Sequence, residues 1–224
     1  MNKTTMTVAI DGPAGAGKST IARALAQALH FVYVDTGALY RAVGYYMLTN
    51  GVPLKEAEQV EARLPEIALE LKYADGTQRV ILNGEDVSGK IRTPEVSMAA
   101  SVVSAQPPVR RFLFDLQRDT ARKSDVIMDG RDIGTVVLPD ARLKIFLTAS
   151  PEARAKRRYA ELCEKGEKVT YDEVLADMVK RDYDDTHRAA APLKAADDAV
   201  LVDTTALSLE ESIDTLRRLV EERL

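Results

Sequence analysis

The segment IDGPAGAGKST, residues 10–20, places Gly12, Gly17, Lys18 and Ser19 at the spacing G-x-x-x-x-G-K-[ST]. A loop of this pattern cradles the phosphates of a nucleoside triphosphate. The turn Gly12-Pro13-Ala14-Gly15-Ala16-Gly17 would aim backbone N–H groups at an anion, at the positive end of the helix that follows. Lys18 would reach the terminal phosphates, Ser19 would ligate Mg²⁺, and Thr20 completes the stretch. The context agrees: Val8, Ala9 and Ile10 read as the end of a buried strand, and Ile21, Leu25, Ala28 and Leu29 recur at helical spacing. A glycine-rich turn with no phosphate chemistry is the plainer alternative, and spacing and context both speak against it.

A donor loop leaves the acceptor open, and three further clusters bear on it. VDTGALYRA, residues 34–42, offers Asp35 at a strand end, Gly37 for a tight turn, Tyr40, and Arg41 one helical turn on; Tyr40 is equally at home in a core. VIMDGRDIGTVVLPDA, residues 126–141, ends an apolar strand with Asp129, where an aspartate orders Mg²⁺ through water, and continues into Arg131 and Asp132. An exposed Asp-Gly turn is the bland reading. The third cluster holds Arg154, Arg157, Arg158, Arg181 and Arg188. Forked guanidinium groups on a closing flap could clamp a transferring phosphoryl group and exclude water. A solvated helix face, with pairs such as Arg181 and Asp185 four residues apart, is the alternative.

These residues need elements to hold them. Apolar runs at 7–10, 31–34, 126–128, 143–147 and 199–202 alternate with helical patterns, which predicts an α/β fold with a parallel five-stranded sheet flanked by helices. Ligands then belong beyond the carboxyl ends of the strands, where Asp11, Asp35, Asp129, Thr148 and Asp203 stand. Two stretches break the rhythm. In 66–92, alternating Leu69, Leu71 and Tyr73, the pair Asp75-Gly76, Val80 to Leu82 and the pair Asn83-Gly84 predict antiparallel hairpins. Thr93 as N-cap and Pro94 as first residue then open a helix to about Ala105, before Pro107 and Pro108. From 150 to about 192 the chain is rich in Arg and Lys; Ser150-Pro151 opens one helix, a Thr170/Glu173 capping box another, and EKGEK joins them. A Ser208/Glu211 capping box opens the last helix.

The bulk properties narrow the class. The chain has 224 residues, enough for a real core, and a formal net charge of −4, against the basic excess of a nucleic-acid or membrane-surface binder. Its opening MNKTTMT is polar and no run is long and apolar enough to span a bilayer, so a cytoplasmic location is expected. Cys163 is the only cysteine and excludes an internal disulfide. It has no base or metal partner nearby in sequence. His30 reads as a helix cap and His187 as an exposed polar residue.

IDGPAGAGKST, VDTGALYR, NGEDVSGKIRTPEVS, MDGRDIGTVVLPDA and KRDYDDTHRAAAPLKAADDA, in this order along nearly the whole chain, closely resemble the bacterial cytidylate kinase family. The resemblance implies a P-loop nucleoside monophosphate kinase: a core of 1–36, 108–149 and 193–224, a monophosphate-binding insertion at 37–107 and a helical lid at 150–192. It implies phosphoryl transfer from ATP to CMP or dCMP with Mg²⁺, by a monomer without nucleic-acid or membrane partners. By position, Lys18 and the loop amides resemble the ATP phosphate site, with Ser19 the metal ligand. Arg41, Arg131 and Arg188 resemble arginines near the acceptor phosphate or the nucleotide, and Thr36, Arg110 and Asp132 the cytosine readers. Ser101, Arg181 and Asp185 resemble the sugar side, and Arg157 a lid arginine that clamps phosphates. Residue 36 is Thr where some relatives carry Ser, and it keeps the hydroxyl.

The chemistry fits. Cytosine pairs an exocyclic amine with ring acceptors, matching an aspartate and an arginine; uracil would set an oxygen against Asp132. The acceptor phosphate is already ionised near neutral pH, so no general base is required. Two rivals remain. A kinase of a small hydroxyl compound would use Asp35 as base but leaves the hairpin insertion and Arg110 with Asp132 unexplained. A GTP-dependent switch would carry [NT]-K-x-D, and neither RKSD nor VKRD has the required first residue.

Overall fold

Val8 and Ile10 pack into one apolar cluster and Ala9 into another, and all three are fully buried. A strand covered on both faces belongs in the middle of a parallel sheet. The structure, a computed structural model, describes residues 5–74 and 77–224; the expected Asp75-Gly76 turn lies outside them.

The chain starts with β1 (Thr7–Asp11), α1 (Lys18–Leu29), β2 (Val32–Asp35), α2 (Thr36–Thr49) and α3 (Ala57–Arg63). A small sheet follows, β3 (Leu69–Ala74), β4 (Thr77–Leu82) and β5 (Glu85–Asp86), then α4 (Pro94–Ser104) and α5 (Pro107–Lys123). The chain closes with β6 (Val126–Gly130), β7 (Leu143–Thr148), α6 (Pro151–Glu164), α7 (Tyr171–His187), β8 (Val200–Asp203) and α8 (Leu209–Glu221).

The main sheet is five-stranded and parallel, in the order β2-β6-β1-β7-β8. Asp129 lies opposite both Ile10 and Asp35, and Thr148 opposite Asp203. The strand ends therefore form one polar edge, as the sequence predicts. Each strand runs one or two residues past its apolar stretch, because the backbone ladder continues where the side chains turn polar. One face packs on α1 and α8 through Ile21, Leu25, Leu216 and Val220. The other packs on Ala121 of α5 and on Ile133 and Val137, in a wide helical turn over Ile133–Val137.

The interruption at 66–92 is the three-stranded antiparallel sheet β3-β4-β5. Asn83 and Gly84 have φ of 48° and 85°, the left-handed pair a two-residue hairpin turn requires. This sheet shares an apolar cluster with α2, α3, α4 and Val109 and Leu113 of α5. Thr93 caps α4 by accepting from Val96 N at 3.2 Å. Pro107 both ends that helical run and opens α5 as a first-turn residue, where its missing N–H is harmless.

The basic stretch forms the antiparallel pair α6 and α7 around Ala155, Val174 and Met178. Ser150 caps α6, and both expected capping boxes, Thr170/Glu173 and Ser208/Glu211, are formed. Among the described residues no helix is long and apolar enough to cross a membrane.

Candidate active site

The loop between β1 and α1 is shaped by steric necessity. Gly12 has φ 147°, and a Cβ there would lie 1.9 Å from the Leu147 carbonyl oxygen, so no side chain fits. Gly17, the N-cap of α1, brings no capping side chain, and the first turn carries no acid. Those amides are left to an outside anion. Pro13 and Ala16 are buried, Ala14 is half-buried, and Gly15 and Thr20 are exposed. Lys18 is buried and donates to the Gly12 and Pro13 carbonyls, both at 2.7 Å. Burial, then the nearby Arg131, push its ammonium well below the usual lysine range.

Beside the loop, Ser19 Oγ donates to Asp129 Oδ2 at 2.7 Å, and Tyr33 OH donates to Oδ1 at 3.0 Å. Burial, reinforced by Asp35, raises the Asp129 carboxyl to about 6 against the opposing pull of Lys18. A hydroxyl and a carboxylate are the hard oxygen donors that suit Mg²⁺. Among the described residues no group of three or more His, Cys, Asp or Glu side chains could hold a metal by itself, so any Mg²⁺ here would complete its shell from phosphates and water.

Arg131, Arg181 and Arg41 gather in one group. Arg131 Nε donates to Asp185 Oδ2 at 2.8 Å, and Arg41 pairs with Asp35 at 2.7 Å. Burial opposes the charge on Asp185, but Arg131, with Arg181 and Arg188, outweighs it and holds the carboxyl below its usual range. Arg181 does not pair with Asp185 as the helical spacing allowed. Its Nε is buried without a hydrogen-bond partner, as is that of Arg41. Burial, then repulsion from Arg131 with further push from Arg41 and Arg158, lowers Arg181 to about 10. Crowded guanidinium groups with idle donors make an anion site.

Asp132, only 4% exposed, sits between Arg110, which grips Oδ2, and Arg188, whose NH2 lies 3.4 Å from Oδ1. Burial raises its carboxyl pKa despite both arginines. Arg110 also donates to the Ser104 carbonyl at 3.1 Å and lies over the Tyr40 ring at 5.8 Å. Ser101, one turn back on α4, meets this group through its carbonyl, which accepts from Ser104 Oγ at 2.9 Å. Thr36 Oγ1 donates to the Asp129 carbonyl at 2.8 Å, placing its hydroxyl at the end of β6. Arg157 stands apart from both groups: it donates to Thr204 O at 2.6 Å and to Thr204 Oγ1 at 3.3 Å, in the turn after β8.

Arg154, one of the arginines expected on the flap, is buried and donates to Ala149 O and Ala14 O, both at 2.9 Å, while pairing with Asp182. It ties α6, α7 and the phosphate loop together. Other positions were not singled out by the sequence. A Cβ on Gly15 would meet Met178 Cε at 2.7 Å, so α7 lies directly on that loop. Tyr33 orients Asp129, and Gln78 clasps the Asp35 backbone. Only strand parity could have pointed to Tyr33; the others join residues far apart in sequence. An open cleft of ≈ 400 Å³ runs beside the loop, lined by Pro13, Thr148, Ala149, Arg154, Asp203 and Thr205.

Comparison with known proteins agrees with this geometry. A family model described as "Cytidylate kinase" matches residues 8–222. The cytidylate kinase of Thermosipho melanesiensis is 50% identical over 216 residues, covering 96% of this chain and 97% of its own. That of Carboxydothermus hydrogenoformans is 50% identical over 215 residues, covering 96% and 97%. A solved structure of an uncharacterized protein from Eubacterium ventriosum shares the fold with TM-score 0.50 and 12% identity, covering 98% of this chain and 100% of its own. A phosphate loop opposed by a buried arginine group, carried on a sequence half identical to these relatives over almost its whole length, shows that this chain belongs to the cytidylate kinase family.

Proposed function

We propose that the protein transfers the γ-phosphoryl group of ATP to CMP or dCMP, giving ADP and CDP or dCDP. The observation that carries this reading is the buried Arg110 and Asp132 pair, in a chain that also holds a phosphate loop. Cytosine can replace each partner for the other: Asp132 takes the amine, and Arg110 donates to the ring acceptors. Thr36 spends its proton on Asp129 O, so its remaining lone pairs also suit an amine. Tyr40 supplies a flat wall beneath Arg110.

On the donor side, Lys18 would leave the loop carbonyls for the β- and γ-phosphates, joined by the amides from Gly12 to Thr20. Ser19 would hold Mg²⁺ directly and Asp129 through water; the ion's charge would offset that of the phosphates. The cleft beside Pro13 suits the donor base. Arg41, Arg131 and Arg188 would bind the acceptor phosphate, and Ser101, Arg181 and Asp185 the sugar side. As charge spreads over the transferring group, Arg131, Arg181 and Arg188 would stabilise it, with the idle Nε of Arg181 offering a ready donor. Arg157 joins them only if it releases the Thr204 turn. Residues 37–107 would act as the monophosphate-binding insertion and 150–192 as the lid, which the separate apolar cluster of α6 and α7 supports.

A coupled assay of ADP release over CMP, dCMP, UMP, AMP and shikimate tests this. CMP and dCMP should turn over fastest, with UMP lower in kcat/KM by roughly 10²- to 10⁴-fold. A higher specificity constant for shikimate or AMP would refute the acceptor assignment.

A further inference from the structure

Asp11 is buried at the end of β1, opposite Gly130 in the ladder, and no step above uses it. Its oxygens accept from two successive amides, Oδ1 from Ile133 N at 2.8 Å and Oδ2 from Gly134 N at 2.7 Å. Hydrogen bonds to a charged acceptor are about twice as strong as neutral ones. Two of them on one carboxylate fix both the place and the direction of a peptide unit. The residue directly before that unit is Asp132.

The other sides of the segment are closed as well. A Cβ on Gly134 would lie 3.2 Å from Lys144 Cγ and Cδ and 3.4 Å from Asp11 Oδ2. Ile133 is buried, and the Asp132 carbonyl accepts from Val136 N at 2.9 Å and Val137 N at 3.2 Å. The chain after Asp132 is thus pinned, and Asp11, which helps to pin it, also borders the phosphate loop, being followed directly by Gly12.

We propose that Asp11 is a positioning residue: it aims the Asp132 carboxylate at the acceptor base and keeps the base-reading segment in register with the phosphate loop. This rests on the reading of Asp132 as a base reader. In Asp11→Asn one oxygen still accepts an amide, while the new NH₂ meets the other N–H donor to donor. In Asp11→Ala both amides are left buried without a partner.

KM for CMP should rise from wild type through Asp11→Asn to Asp11→Ala, by roughly tenfold or more at the last. The preference for CMP over UMP should narrow in step, while KM for ATP stays within about twofold. Equal rises in both KM values with an unchanged CMP to UMP ratio would overturn the proposal, since Asp11 would then act through the phosphate loop. Asp132→Ala, measured alongside, separates the two claims. If it narrows the gap and the Asp11 variants do not, the positioning role alone fails; if it leaves the gap intact, the base reading itself falls. Should the variants not fold, amide hydrogen exchange on the wild-type protein decides. Ile133 and Gly134 should be strongly protected, and exchange at solvent-like rates would contradict the two bonds.

Discussion

Asp11 and Asp129 are carboxyl groups that the fold holds out of water. Burial raises each from 3.8 to about 6, Asp11 in spite of the Gly134 and Ile133 amides and Asp129 in spite of Lys18. A carboxyl whose folded pKa exceeds its unfolded value binds its proton more tightly in the fold. Its contribution to stability therefore falls as pH rises from about 4 to about 6. In Asp11→Asn that loss disappears at one of the two positions. Urea unfolding at a series of pH values should show the variant gaining on the wild type by about 2–3 kcal/mol between pH 4 and pH 7. A difference independent of pH would contradict the burial argument. At this scale the sequence revealed residue types better than partners. Arg181 and Asp185 stand four apart on one helix, yet Asp185 turns to Arg131, 54 residues away. No local pattern encodes that choice, which depends on how α7 crosses the end of β6.

At the level of elements, the insertion is joined to the main sheet by a side chain. Gln78 of β4 accepts from Asp35 N at 2.9 Å and donates to Asp35 O at 3.3 Å, imitating a strand neighbour at the edge of β2. Asp35 in turn caps α2 by accepting from Ala38 N at 2.9 Å, and so sets the direction in which Thr36, Tyr40 and Arg41 leave the sheet. Gln78→Ala should cost about 1–2 kcal/mol of stability in urea. It should also raise KM for CMP several-fold with little change in KM for ATP. An unchanged KM for CMP would mean that the clasp serves stability alone. Strands, caps and both capping boxes could be read from sequence because each depends on residues within a few positions. Gln78 and Asp35 could not, being 43 residues apart. The wide helical turn over Ile133–Val137, with its first two amides held by Asp11, has no local sequence signal either.

Across the whole molecule, the parallel strand order sets Asp11, Asp35, Asp129, Thr148 and Asp203 along one edge, where Gln78 of one interruption binds Asp35 and Arg154 of the other binds Ala14. One group is the phosphate loop under α7. Another group joins Arg110 from α5 to Asp132, just past β6, with Arg188 and Arg131 near it. Catalysis then needs no proton acceptor, only two anions brought together and neutralised. Motifs in the sequence revealed both groups of residues. They hid the bracing, such as Arg154 reaching Ala14, which spans 140 residues and lies in a stretch that could equally be a solvated helix face. Selectivity for CMP would rest on Asp132 taking cytosine's amine. The most direct test is kcat/KM for CMP and UMP measured side by side in wild type and Asp132→Ala. Activity toward CMP should drop by roughly 10²-fold or more and the gap between the two substrates should shrink; losses in equal proportion for both would contradict it.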